Sequence, residues 1–505
     1  MRRHLVVAAT ALLMTACGST VQIKGTVAAG SPDGLSAPAA TGTTAGGLPG
    51  TGGLGTTASA SGTTGSPAGG STGIGGTSSP GSHASAAGAG SLPPGSPVTA
   101  GADHSRLTIG MLITTASGLA STGYKVGNTV NEQDVDQALV NAFNKQGGLA
   151  GHPLKALYAK TDTFSSNWET DFNAACATFT QDNKVNAVLG YAFNYYASFE
   201  KCLSKKAIPH LSSSFNIPDR QELAQFPSFV AVDVPTVDRR GLAKVDGALG
   251  TSYLTAKNKV GILTDNCPGS VRSLDNVVLP FMKRAGLPAP TVYTVGCING
   301  QGDSGSASAD LQGAELSFSS KGVDRVLIHG VSEGPGLAQF AVGAQSQGYH
   351  PGYIVSSLAN LALNNGTVPP AQARNIHGFG WLPMEDIAVA TYPKRNANQA
   401  RCLALLKSQG ITPSATADYV FAYQICEPFF LYEAALRRIG GTSAADVVRG
   451  VHSLGSSYQS ITNLDGQSLF TAGRSDAILK ARPLIYGDAC NCWSYQGAAR
   501  QIPSP

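Results

Sequence analysis

Asn144-Lys-Gln-Gly-Gly-Leu-Ala-Gly-His-Pro-Leu-Lys-Ala-Leu-Tyr-Ala159 closes one periodic segment and opens another. Upstream, Val135, Leu139, Ala142 and Phe143 recur at helical spacing, and Gly147-Gly148 stops the helix they define. Downstream, Leu154 to Ala159 reads as a strand, so the passage is a helix-to-strand junction. The same alternation extends outward in both directions. Arg106 to Ile113 is a buried strand before the helix; Phe172, Ala175, Cys176 and Phe179 mark a second helix and Val185 to Gly190 a third strand. Further strands follow at Ile208–Leu211, Val260–Thr264, Val292–Val295, Val323–His329 and Tyr353–Ser356. Strands alternating with helices over such a length predict an α/β fold with parallel sheets covered by helices, and ligands in such sheets sit beyond the carboxyl ends of the strands.

The amino-terminal fifth of the chain is a different material. Met1-Arg-Arg-His4 is followed by an apolar run from Leu5 to Met14 and by Ala16-Cys17, the layout of an export signal too short to span a bilayer. Cys17 at the cleavage point resembles the lipobox of bacterial lipoproteins, which implies a signal peptide over 1–17, lipidation of Cys17 and attachment to the extracytoplasmic face of the cell membrane. Residues 18–104 are dominated by Gly, Ser, Thr, Ala and Pro, and no aromatic residue precedes Tyr124. Such a composition cannot bury enough apolar surface to offset ordering and predicts a flexible linker, with a reach on the order of 50 Å if it behaves as a random coil. The net charge of +4 over 505 residues gives no reason to expect nucleic acid as a partner.

The order of segments resembles the type I periplasmic binding proteins, specifically the branched-chain amino acid (Leu/Ile/Val-type) substrate-binding lipoproteins of ABC importers. The resemblance runs from Ser105 to Tyr495. It rests on the opening strand with its Ser117-Gly118 turn, Asn144 to Pro153, Val188-Leu-Gly190, Ala207-Ile-Pro209 and Val260 to Asp265, of which Gly-Gly-Leu-x-Gly-His-Pro is the most specific. It implies two Rossmann-like lobes joined by a three-segment hinge, with lobe one at 105–235 plus 379–455 and lobe two at 236–378 plus 456–505. A small-molecule ligand between the lobes, ABC permease subunits as partners, no enzymatic activity and no cofactor follow from the same resemblance.

The cysteines fit this division. With Cys17 set aside, Cys176, Cys202, Cys402 and Cys426 fall in lobe one, and Cys267, Cys297, Cys490 and Cys492 in lobe two. Even counts outside the cytoplasm argue for disulfides within lobes. The pairing expected is Cys176–Cys202, Cys402–Cys426 and Cys267–Cys297, which leaves Cys490 and Cys492 facing each other across one residue.

By the resemblance, lobe one offers Ser117, Tyr191, Ala192, Phe193 and Asn194, then Ser213, Ser214 and Asn216; lobe two offers Asp265, His329, Ser332, Glu333, Ser356 and Leu358. Hydroxyls, amides and backbone N–H groups at strand ends are donors suited to a carboxylate. The amino acid receptors carry an acid in the last of these loops, and this chain has Leu358 there. A ligand without a free amino group, or one read through Glu333 or Asp265, is therefore as well supported as leucine. Tyr191, Phe193, Tyr195 and Tyr196 at the lobe-one rim favour an apolar or ring-bearing ligand, although alternate positions leaving a strand also serve as core.

Two other readings compete. A closed receptor could signal to a membrane partner without transport. Gly330-Val-Ser-Glu-Gly334 matches the nucleophile elbow of serine hydrolases, with Ser332 as nucleophile and His350, His377 or His452 as base, but no His-Gly-Gly oxyanion stretch lies upstream. Gly300 to Gly305 matches a dinucleotide fingerprint at the wrong distance from its strand, and the nine histidines show no metal-ligand spacing.

Overall fold

The computed structural model describes residues 105–115, 130–162, 165, 167–192, 195–214, 217–300, 303–330, 333–363, 365–474 and 476–505. The leader with Cys17, the linker, and Ser117, Phe193, Asn194, Asn216 and Ser332 lie outside them. All described residues belong to one unit, Ser85–Pro505.

Two sheets organise it. The first is wholly parallel, with β1 (Leu107–Thr115), β2 (Leu154–Asp162), β3 (Ala187–Ala192), β4 (His210–Ser214) and β5 (Phe229–Ala231) in the order β2-β1-β3-β4-β5. Its helices are α1 (Glu132–Lys145), α2 (Trp168–Ala177), α3 (Ala197–Lys205) and α4 (Arg220–Leu223). The second sheet contains β6 (Val260–Asp265), β7 (Thr291–Val295), β8 (Arg325–Ile328), β9 (Gly352–Ser356), β10 (Ile376–Gly380), β11 (Lys480–Gly487) and β12 (Cys492–Tyr495) in the order β12-β11-β10-β9-β8-β6-β7, and β13 (Arg500–Gln501) pairs with β11. It carries α5 (Val237–Gly250), α6 (Pro268–Ser273), α7 (Leu279–Arg284), α8 (Ser304–Ser320), α9 (Glu333–Ser346), α10 (Pro370–Ala373) and α11 (Pro383–Asp386). Then α12 (Ala397–Lys407), α13 (Thr416–Ile439) and α14 (Ala444–Leu454) return to the first sheet, where α13 packs on β3 and β4.

The expectation of parallel sheets needs one correction. β10 to β11 and β11 to β12 are antiparallel, so the second sheet is mixed. For β11 and β12 the cause is local, a short turn that only an antiparallel pair allows; β11 meets β10 from across the third crossing. Among the described residues no helix is long and apolar enough to cross a membrane.

The helix-to-strand junction behaves as its sequence requires. Asn131 caps α1 by accepting the Asp134 N–H, and the buried face is Val135, Leu139, Ala142 and Phe143. Phe143 stacks on Phe429 of α13 at 6.1 Å between ring centroids, which joins the end of α1 to the longest of the described helices. Asn144 then clasps the start of β2, donating to the Leu154 carbonyl and accepting the Leu154 N–H.

The chain crosses between the sheets three times, after β5, after β10 and after α14. The crossings are tied to one another by hydrogen bonds to main-chain atoms. Trp381, fully buried, donates its indole N–H to the Asp233 carbonyl at 3.0 Å; the Leu464 N–H donates to the Trp381 carbonyl at 2.8 Å, and the Ala477 N–H to the Ala231 carbonyl at 3.2 Å. A buried guanidinium secures the third crossing, with Arg239 paired to Asp476 and donating to the Ile478 carbonyl at 2.6 Å. Four disulfides, Cys176–Cys202, Cys267–Cys297, Cys402–Cys426 and Cys490–Cys492, have the pairing expected from the sequence.

Candidate functional site

A cleft of about 500 Å³ opens between the two sheets at the carboxyl ends of their strands. On one side the chain leaving β2 supplies Asn167 and Glu169, the chain leaving β3 supplies Tyr195, Tyr196 and Ser198, and the chain leaving β4 supplies Ile217, Pro218 and Glu222. The other side is built from Cys267 to Ser270 after β6, and from Cys297 to Asn299 with Asp303 after β7.

Each wall has a local cause. Asn167 caps α2 by accepting the Thr170 N–H at 3.1 Å, which turns the chain so that Glu169 faces the cleft from the first helical turn. Tyr196 precedes α3, and no side chain caps that helix, so its leading N–H groups have no side-chain acceptor from the cap position. Beside them, the buried hydroxyl of Ser198 has no hydrogen-bond partner among the described residues. The two tyrosine rings form an apolar wall, Tyr196 against Phe172 at 4.5 Å and Tyr195 against Phe229 at 5.5 Å. Burial, reinforced by nearby carboxylates, pushes both phenols above their ordinary pKa, so they remain neutral donors. Opposite, the Cys267–Cys297 disulfide fastens the loops after β6 and β7, helped by Asn266, whose side chain accepts the Cys297 N–H at 2.6 Å.

Among the described residues, hydrogen bonds span the cleft. The Trp168 N–H donates to the Asn299 carbonyl at 3.3 Å. Arg272 of α6 reaches α4, placing Nε 2.7 Å from Asp219 Oδ2, and Nη2 2.8 Å from both Asp219 Oδ1 and Glu222 Oε2. Asp219 is also the cap of α4, accepting the Glu222 N–H at 3.1 Å.

The strand-end residues expected from the sequence lie elsewhere. Asp265, His329, Glu333 and Ser356 gather at the ends of β6, β8 and β9 in a sealed cluster, each at most 2% exposed. α5 inserts Arg240 and Lys244 into it, both fully buried. Lys244 Nζ pairs with Glu333 and the Ile328 carbonyl, while the other Glu333 oxygen accepts the Ser356 N–H at 2.9 Å and its hydroxyl at 2.5 Å. Burial, with Lys244 and Arg240 adding, holds His329 well below its ordinary pKa and therefore neutral. Gly330 lies against this cluster with φ +99°, and a Cβ there would fall 2.2 Å from Asp265 Oδ2. Leu358 is core, Tyr191 packs on Phe421 at 5.7 Å, and Ser213 donates to Asp233 at 2.8 Å. Ala192 and Ser214 end β3 and β4. Among the described residues, Asp265, His329, Glu333, Ser356, Leu358, Tyr191 and Ser213 do not line the cleft; Tyr195, Ile217 and Cys267, which do, each lie one to two positions beyond the expected Asn194, Asn216 and Asp265. Of the histidines considered as a base, His377 stacks on Tyr253 at 3.5 Å and is pushed down to about pKa 4 by burial and Arg325.

Asn167, Glu169 and the Cys297–Asp303 loop were not legible as site residues. An asparagine followed by an acid in the first turn reads as ordinary helix capping, and the Cys267–Cys297 pairing was the one available signal that the two lobe-two loops meet.

No family model matches the sequence and no curated protein matches it. Solved structures do. A solute-binding protein of an ABC transporter from Rhodopseudomonas palustris BisB5, in complex with 3,4-dihydroxybenzoic acid, superposes with a TM-score of 0.56 at 13% identity, covering 80% of this chain and 99% of that one. The branched-chain amino acid transporter substrate-binding protein LivJ from Streptococcus pneumoniae, in complex with isoleucine, gives 0.54 at 17% identity over 79% and 99%. A type 1 periplasmic binding protein from Bordetella pertussis Tohama I gives 0.53 at 14% over 78% and 100%. The fold is that of the type I periplasmic binding proteins.

Proposed function

We propose that this protein is an extracytoplasmic solute receptor that captures a small molecule between its lobes and delivers it to an ABC permease. The observation that carries the reading is the cleft itself: strand ends from both sheets converge on it, with the uncapped start of α3 and the Ser198 hydroxyl, unpartnered among the described residues, beside two tyrosine rings. Donors next to a ring-lined wall suit a carboxylate or amide attached to an apolar or aromatic body. Isoleucine and 3,4-dihydroxybenzoic acid, the ligands of two structural neighbours, both carry a carboxylate.

In this reading, 105–235 with 379–455 moves against 236–378 with 456–505 about the three tied crossings. A ligand touching both halves stabilises the closed arrangement by its differential affinity for it. Cys17 supplies the lipid anchor and residues 18–104 the tether. The amino acid is one candidate ligand among carboxylates, since Glu333 is engaged by Lys244 and Ser356 and does not line the cleft.

The test is a thermal-shift screen over amino acids, short amides, aromatic acids and sugars. A ligand at a hundred times its dissociation constant adds about 2.7 kcal/mol of stability. Aromatic or aliphatic carboxylates are the expected hits; a panel in which sugars alone shift the melting point would overturn the ligand class, and one in which nothing does would overturn solute capture.

A further inference from the structure

Three of the four disulfides join residues 24 to 30 positions apart, and Cys176, Cys402 and Cys426 among them are buried. The fourth differs in kind. Cys490 and Cys492 are two positions apart, at the turn between β11 and β12, with Cys490 exposed and Cys492 half-buried. Asn491, between them, adopts φ +48°, in the left-handed region.

Such a bond adds little to the fold. The stabilisation from a crosslink grows with the loop it closes, and this one closes the shortest in the molecule. The turn also has other supports. Leu484 to Gly487 pair with Tyr495 to Cys492, Trp493 is buried against Tyr486 at 5.3 Å, and Asn365 donates to the Asn491 carbonyl at 2.9 Å. The Tyr486 hydroxyl contacts the Asn491 side chain. An exposed disulfide in a small ring, on a hairpin held by other contacts, has the properties of a labile exchange partner rather than a staple.

We propose that Cys490–Cys492 is a thiol–disulfide exchange site for a dithiol, while the other three disulfides are structural. One thiolate of the dithiol attacks the exposed Cys490 Sγ; the Cys490–Cys492 bond breaks and Cys492 leaves as a thiolate that takes a proton from water. The second thiol of the reductant, deprotonated, attacks its own sulfur in the mixed disulfide and releases Cys490. Two electrons pass from the dithiol, which ends as an intramolecular disulfide, and the protein gains two thiols. The reverse sequence reduces a disulfide in the partner.

The experiment exposes the folded full chain to graded dithiothreitol, quenches with iodoacetamide and maps the alkylated peptides. Alkylation at Cys490 and Cys492 is expected at about tenfold lower reductant than at the six cysteines of the other three disulfides, a difference equivalent to roughly 30 mV. Opening of this pair together with or after the others would overturn the proposal. A Cys490→Ser/Cys492→Ser variant separates exchange from stapling: its melting point is expected to stay within about 2 °C of the parent. A larger fall identifies the bond as structural and likewise overturns the proposal.

Discussion

Arg272 and Asp219 form a two-point ion pair across the cleft, the guanidinium on α6 of the second sheet and the carboxylate at the cap of α4 on the first, at 2.7 and 2.8 Å. Asp219 has a side chain only 4% exposed, so loss of the guanidinium leaves a nearly buried carboxylate short of donors. Arg272→Ala is expected to cost about 1–3 kcal/mol in urea denaturation. It should also weaken ligand binding, because fewer molecules occupy the joined arrangement. Arg272→Lys keeps the charge but not the fork and should fall between the two.

The sealed pair Lys244–Glu333 gives a sharper expectation. Lys244→Met removes one partner of a fully buried ion pair and leaves Glu333 with the two Ser356 donors and the nearby charge of Arg240. A loss of about 3–5 kcal/mol is expected, read as a lower denaturation midpoint at constant slope.

Stability should fall as pH rises through neutrality. Burial pushes Asp386 up to about 7 and Glu427 up to about 8. An unfolded chain releases both protons near pH 4, so between there and pH 8 the folded form holds more protons than the unfolded one. Their contribution is complete below pH 4 and is lost as pH climbs through 7 and 8. Glu427→Gln is expected to flatten the upper part of the melting-point profile; an unchanged slope between pH 6 and 8 would refute the assignment.

For a carboxylate found by the ligand screen, Ser198→Ala removes a hydroxyl that has no described internal partner. Affinity should drop about tenfold, as for one hydrogen bond to a charged group, with the melting point of the unliganded protein unmoved. Calorimetric titration of the variant checks it.

Cys17→Ser is expected to release the protein from the membrane fraction into the medium or periplasm, as immunoblotting of fractionated cells would show.

The sheets could be read because buried parallel strands are continuous apolar runs, as in Val260 to Leu263, and because Phe143 and its partners keep helical spacing. Segregation of the cysteines by lobe, implied by the family resemblance, left three pairings open in each lobe, and the pairs found are the ones expected. β11 escaped because Lys480, Arg482 and Pro483 interrupt its apolar positions. The cluster around Glu333 escaped for a different reason: Arg240 and Lys244 on α5 look like a solvated face until Asp265, His329 and Glu333, at distances of 21 residues and more, fold around them. Sequence therefore located the strand ends but could not tell that an internal ion pair had already claimed Glu333 there. The cleft begins at the helix starts just beyond them, where Tyr195 and Ser198 stand.

The ties among the three crossings also bear on how such molecules can be recombined. Because each half is assembled from separated stretches of chain, a chimera that exchanges one half with a relative needs three junctions made at once, never one. Leu464 and Ala477 enter the joint through their own N–H groups and bury their side chains, so junctions there need small or apolar residues and exclude proline, which has no such hydrogen to give.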